Sequence, residues 1–295
     1  MQGGFPVFSY LREPGAGTGT EPGQAMPVLS VLVVAGHING FVMTYLTFLG
    51  TGTSQGVPII GCHCPVCQSA DFHDKRLRTS ALVCTDQVQV VIDAGPDFRY
   101  QMLRAGVENV DAILLTHPHR DHVGGLDDVR PFNYYQKRPM PVYGNAITLK
   151  ALRATIPYAF AEHRYPGAPE FALYEVDDKP FRVGDLEILP FEVMHYKLPV
   201  TAYRMGNLVY ITDAKFISRS SVEKIKGCKT LVVNALRKEP HLSHFSLGDA
   251  LALIEEVKPE KAYLTHVGHT MGYAAVSAEL PAGVEMAYDG LRIGF

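Results

Sequence analysis

Three imidazoles and one carboxylate fall within six positions of Thr116-His117-Pro118-His119-Arg120-Asp121-His122, directly after the apolar run Ala112-Ile113-Leu114-Leu115. The run reads as a buried strand, so it delivers a dense set of nitrogen and oxygen donors into a loop. Neutral imidazole and carboxylate are the ligand types that hold Zn²⁺ and related divalent ions. Groups crowded this closely repel one another when charged unless a cation compensates them. The competing reading is a solvated, His-rich turn.

Holding such a cluster rigid requires a substantial core, and 295 residues with 47% hydrophobic content can form one. The formal charge of -3 provides no broad basic surface, which disfavours a nucleic-acid partner bound mainly through its phosphates. Of five cysteines, three stand together in Cys62-His63-Cys64-Pro65-Val66-Cys67, while Cys84 and Cys228 are alone in apolar segments. An odd, clustered set reads as thiolate metal ligands in a reducing, cytoplasmic setting rather than as a disulfide framework.

Residues 1–42 differ from the rest. Gly and Pro punctuate them, and the apolar run from Val28 to Gly36 is shorter than the about 20 residues a membrane span needs. No basic segment precedes that run as a signal peptide would require. We read 1–42 as an extension outside the fold, with Met43 opening a single domain over 43–295. From there Tyr45 to Leu49 alternates as a strand, and Gly50 to Gly56 forms a tight turn without a phosphate-loop lysine. Ala81–Cys84 and Val88–Asp93 read as a hairpin, and Asp97 as the cap of a helix ending at Gly106. Pro131, Pro139 and Pro141 predict an irregular stretch before a helix over Ala146–Ile156. The aromatic-rich stretch from Phe132 to Pro169 reads equally as a packed insertion or a lid, and its exposed part offers a surface for a homodimer. Further strands are expected at Phe181–Val183, Leu186–Ile188, Phe191–His195, Thr201–Met205, Leu208–Thr212 and Thr230–Val233. Ser246 caps a helix, Ala262–Thr265 leads into His266, and Met286–Ile293 closes as a hairpin about Asp289-Gly290. Mixed hairpins and helices with donors at strand ends indicate one α/β or α+β domain.

Asp93, His195, Asp213 and His266 each follow an apolar segment, like the His117 cluster, and strand ends on one sheet edge let polar groups converge. Two metal ions then fit the donor set. His117, His119 and His195 would hold one, Asp121, His122 and His266 the other, with Asp213 bridging. The three thiolates need a fourth ligand to close a structural Zn²⁺ site; His269 and His63 both compete for that place.

The pattern His117-x-His119-x-Asp121-His122 with His195, Asp213 and His266 resembles the metallo-β-lactamase-fold hydrolases over essentially Met43 to Phe295. The resemblance implies a four-layer αββα sandwich with the metals at its edge. Cys62-x-Cys64-x-x-Cys67 with His269 is similar to the phosphoribosyl cyclic phosphodiesterases of bacterial phosphonate degradation and their relatives, which implies a structural zinc on Cys62, Cys64, Cys67 and His269. Two active-site ions, Zn²⁺ or Mn²⁺, and a small, cyclic phosphodiester substrate attacked by a metal-bridging hydroxide follow as expectations. Asp121 would serve as ligand and orient the nucleophile. His244, or failing it His241, would protonate the leaving group. Asp93 would support a ligand from behind, and Arg78, Arg130 and Lys197 are candidates for binding substrate phosphate. Rival functions are RNA 3′-end processing, thioester or lactone hydrolysis, and a non-enzymatic metal module.

Overall fold

The computed structural model describes residues 44–295; the expectations for 1–42 and for Met43 lie outside the described residues. Strands β1 (Tyr45–Gly50), β2 (Ser80–Cys84), β3 (Gln89–Ile92), β4 (Ala112–Leu114), β5 (Met140–Gly144) and β6 (Phe171–Glu175) lie side by side in that order. A second sheet runs through β7 (Phe181–Val183), β8 (Leu186–His195), β9 (Leu198–Met205), β10 (Leu208–Tyr210), β11 (Thr230–Asn234), β12 (Lys261–Thr265) and β13 (Val284–Met286). The last strand, β14 (Arg292–Gly294), returns to pair antiparallel with β1. From β3 to β6, and again from β10 to β13, neighbouring strands are parallel.

Alternation along the strands builds three apolar layers. Val90, Ile92, Ala112 and Leu114 of the first sheet meet Tyr203, Met205, Tyr210 and Val232 of the second between the sheets. The residues between them in sequence, Val91 and Ile113, face outward under helices α2 (Phe98–Ala105), α4 (Arg130–Gln136) and α5 (Ala146–Thr155). Leu231 and Val233 do the same beneath α6 (Arg219–Ile225) and α7 (Leu247–Val257). A period of two with both faces apolar is what a sheet covered on both sides demands. The result is the four-layer αββα sandwich. Shorter helices are α1 (Pro65–Gln68), α3 (Arg120–Val123) and α8 (Tyr273–Ser277). Among the described residues no helix is long and apolar enough to cross a membrane.

Several local expectations give way to tertiary demands. Asp97 precedes α2 but makes no side-chain cap; its carboxylate instead accepts from the Arg78 amide at 2.9 Å and its guanidinium at 3.1 Å. Pro131 opens α4 in the first turn, where the helix leaves amides unbonded anyway. Pro141 sits in β5 just before the register with β4 begins at Val142, so its missing N–H interrupts no ladder. Pro190 likewise lies inside a single ten-residue β8, past the end of its pairing with β7 at Ile188. Within the aromatic-rich stretch, β5 and α5 belong to the first sheet and its cover and Phe132 is buried, whereas Tyr134, Tyr135, Tyr158 and Tyr165 are exposed.

The closing hairpin is also replaced. β13 extends the second sheet and β14 the first, so Asp289-Gly290 carries the chain from one sheet to the other. Asp289 accepts from the Thr51 amide at 2.9 Å, its hydroxyl at 2.8 Å and the Leu77 amide at 2.9 Å. Truncating it strands amide donors, one on the fully buried Thr51, at about 1–3 kcal/mol for each such group. Asp289→Ala should therefore lower stability by about 3 kcal/mol. The check is a urea midpoint that falls with an unchanged slope.

Candidate metal centre

Every residue expected at the two-ion cluster, with Asp93 behind it, sits at or in the loop beyond a strand end on one edge of the sandwich. β3 ends before Asp93, β4 before the His117–His122 loop, β8 at His195, β10 before Asp213, and β12 before His266. Asp93, Asp213 and His266 each take a left-handed backbone, with φ of 61°, 57° and 55°. This uncommon conformation reverses the chain sharply as the strand stops.

The side chains converge on Asp213. Its Oδ1 lies 3.4 Å from His122 Nε2 and 3.2 Å from His266 Nδ1. Its Oδ2 lies 3.1 Å from His244 Nε2 and 3.8 Å from His117 Nε2. His117 Nε2 is 3.0 Å from His119 Nδ1, and Asp121 Oδ2 is 3.2 Å from His122 Nε2. Donor atoms of His117, His119 and His195 fall within 4.8 Å of one another, as do those of Asp121, Asp213 and His266, and those of His117, His122 and Asp213.

Supporting contacts fix these rings. Asp93, wholly buried, accepts from the Thr116 amide (2.8 Å), the Thr116 hydroxyl (2.7 Å) and His122 Nδ1 (2.7 Å). With Nδ1–H given to Asp93, His122 Nε2 faces Asp121 and Asp213, and this buried nitrogen has no hydrogen-bond partner. His195 Nδ1 donates to the Ser243 carbonyl at 2.7 Å, and Thr79 Oγ1 lies 3.2 Å from His266 Nδ1.

Electrostatics point the same way. Burial by itself raises the Asp213 carboxyl, but the imidazoles of His266 and His122 outweigh it and hold it well below the usual range. Burial lowers His122, yet the Asp213 and Asp93 carboxylates raise it well above the ordinary imidazole range. The carboxylates around Nε2 thus call for a cation, either a proton or a metal ion. Burial pushes His266 down to about 4 and also lowers His117 and His195, leaving neutral lone pairs at neutral pH. An orphaned nitrogen, neutral imidazoles and an ionised carboxylate are what a divalent ion needs.

His244 stands against Asp213, and His241 lies behind it at 3.2 Å between the Nδ1 atoms. The sequence resemblance favours His244 with His241 as the alternative, and of the two it is His244 that touches Asp213. On the far side of the loop after β12, His269 Nδ1 lies 3.3, 3.5 and 3.6 Å from the sulfurs of Cys62, Cys64 and Cys67, whereas His63 is exposed and outside the group. The Cys67 amide lowers the Cys64 thiol to about 6, and burial raises that of Cys67.

Arg76 is a supporting residue that the sequence did not single out. Wholly buried, it donates to the carbonyls of Gly268 (3.2 Å) and Met271 (2.8 Å) and to Asp74 (2.9 Å), stapling the loop that carries both His266 and His269. Its only sequence signal is the neighbouring acid in Asp74-Lys75-Arg76. Among the expected phosphate binders, Arg78 is engaged by Asp97 and the Ser54 carbonyl, and Arg130 pairs with Asp127. Lys197 differs: with His119, His195, Tyr196, Leu198 and Ser243 it lines a hollow of about 390 Å³ beside the cluster. A larger apolar groove of about 590 Å³ between α2 and α4 carries none of the clustered donors.

The family model described as "Beta-lactamase superfamily domain" matches residues 89–267. The crystal structure of a new diphosphatase from the PhnP family superposes with a TM-score of 0.80 at 38% identity, over 85% of this chain and 98% of that one. Zn²⁺-bound PqqB from Methylobacterium extorquens shares the fold, with a TM-score of 0.67 at 18% identity over 85% of this chain and 100% of that one. An octanoyltransferase of Porphyromonas gingivalis is 42% identical over 248 residues, 83% of this chain; the chain spans only half the length of that relative, 50%. The matched domain, the αββα layers and the strand-end cluster agree: the chain belongs to the beta-lactamase superfamily, among its metallo-β-lactamase-fold hydrolases.

Proposed function

We propose that this protein is a binuclear metal-dependent hydrolase of small phosphodiesters. The observation that carries this reading is Asp213, whose two oxygens face different imidazole sets, His122 and His266 on one side and His117 and His244 on the other. His117, His119 and His195 would hold one ion and Asp121, His122 and His266 the second, with Asp213 between them. Cys62, Cys64, Cys67 and His269 would hold a structural zinc, a closed four-ligand set. When bound, divalent ions at the Asp213 cluster supply Lewis-acid charge for phosphoryl oxygens and acidify water towards neutrality.

The chain's own groups do the rest. Asp93 and Ser243 set the tautomers of His122 and His195, so each ring offers its other nitrogen to the site. Asp121, held ionised, positions the attacking water. His244, in contact with Asp213 and backed by Ser243 and His241, is placed to give a proton to the departing oxygen. The likeness to a PhnP-family diphosphatase, nearly all of which this chain covers, supports phosphoryl chemistry.

One observation favours acyl chemistry instead, namely the octanoyltransferase relative. Half of that protein lies outside the match, so its transferase activity need not reside in the shared half. The hollow beside His119 and His195 brings the Lys197 ammonium next to the cluster, where it can meet a phosphate oxygen. Turnover of the Mn²⁺- or Zn²⁺-loaded protein on bis(p-nitrophenyl) phosphate, set against an octanoyl thioester, a lactone and a precursor transfer RNA, separates the readings. Hydrolysis of the thioester with an inert phosphodiester would overturn ours.

Replacing His244 with Ala should lower kcat by about 100-fold or more while two cluster metal equivalents remain by elemental analysis. An unchanged rate removes His244 from the mechanism. Cys64→Ser should lose one zinc equivalent and melt at lower temperature, and a variant that keeps its full metal content would exclude the thiolate site.

A further inference from the structure

Among the described residues, six other than glycine have positive φ. Asp93, Asp213 and His266 belong to the metal cluster, and Lys137 and Lys258 close helices α4 and α7. Tyr196 remains, at φ 55°. It is the first of two residues in the turn joining β8 to β9, between His195 and its partner Leu198. Two-residue hairpin turns favour Gly, Asn or Asp where φ is positive, and an aromatic side chain there is held at a cost of about 1–2 kcal/mol. Strain retained beside a ligand points to use rather than to folding.

Both turn residues line the hollow that His119 and His195 open onto. Tyr196 is 53% exposed, although its ring could have been replaced without loss to any core. The Lys197 ammonium sits 5.4 Å from the Tyr196 ring centroid and has no ion pair among the described residues, in contrast to Arg78 and Arg130. The turn therefore presents a half-exposed aromatic ring with an ammonium over one face, the ammonium having no acidic partner among the described residues, directly after a proposed ligand. A compound that uses both carries an aromatic ring and a phosphate beyond the reacting one.

Resting on the phosphodiesterase reading above, we infer that the Tyr196-Lys197 turn selects diphosphate esters of nucleosides, with Tyr196 stacking on the base and Lys197 binding the phosphate that does not react. Hydrolysis then consumes one water: its oxygen bonds to the reacting phosphorus, the bridging phosphorus–oxygen bond breaks, and the departing phosphate oxygen takes a proton. No oxidant or second substrate is needed.

The test uses the Mn²⁺-loaded full chain with ADP-ribose and bis(p-nitrophenyl) phosphate as substrates, and ADP binding by calorimetry as a readout independent of turnover. Lys197→Met should raise KM for ADP-ribose about tenfold or more, keep kcat within about threefold, and weaken ADP by a similar factor. The KM change should exceed that for bis(p-nitrophenyl) phosphate by about tenfold. Tyr196→Gly, which suits the backbone but removes the ring, should weaken ADP about fivefold, and Tyr196→Phe should restore it. Equal losses on both substrates, or ADP affinity unmoved by either variant, overturn the inference. Hydrolysis of bis(p-nitrophenyl) phosphate without ADP-ribose turnover or ADP binding sinks it alone. If neither substrate is hydrolysed the phosphodiesterase reading fails, while the ADP measurements still decide the role of the turn.

Discussion

A carboxylate withdrawn from water and ringed by imidazoles is the contact around which this molecule is arranged. Asp213 is 2% exposed, and four histidines, His117, His122, His244 and His266, place a nitrogen within 3.8 Å of its oxygens. An isolated buried anion is strongly disfavoured, so the arrangement persists only where positive charge and fixed donors answer it. Those histidines come from both sheets. His117 and His122 follow β4 of the first, while Asp213, His244 and His266 follow strands of the second. The αββα packing makes the meeting feasible: the apolar layer between the sheets sets their spacing, and the strand ends share one edge.

Much of this is legible in the sequence because strand ends are local features. An apolar run that stops at a histidine or aspartate marks both an element and a candidate donor, which is why His117, His195, Asp213 and His266 can be grouped from residue order. Period-two patterns locate most strands, and Ser246 foretells α7, where the full capping box with Asp249 is present.

What escapes the sequence is non-local. Asp97 has the residue type and position of a helix cap, but Arg78 claims its carboxylate. The chain closure looks like a hairpin because its two strands are near in sequence, yet each belongs to a different sheet. Pro131 and Pro141 look like breakers, although a missing N–H matters only where a neighbour needs it. His244 is favoured over His241, and His269 over His63, by spacings that resemble the family's, while the direction in which each loop turns is non-local.

Arg76 adds a consequence for how the parts communicate. By gripping the carbonyls of Gly268 and Met271 it makes the segment from His266 to Met271 a stiff bar with the Asp213 cluster at one end and the thiolates near the other. His266 and His269 are three residues apart on that held segment, so one buried guanidinium braces the backbone on which a member of each donor group sits.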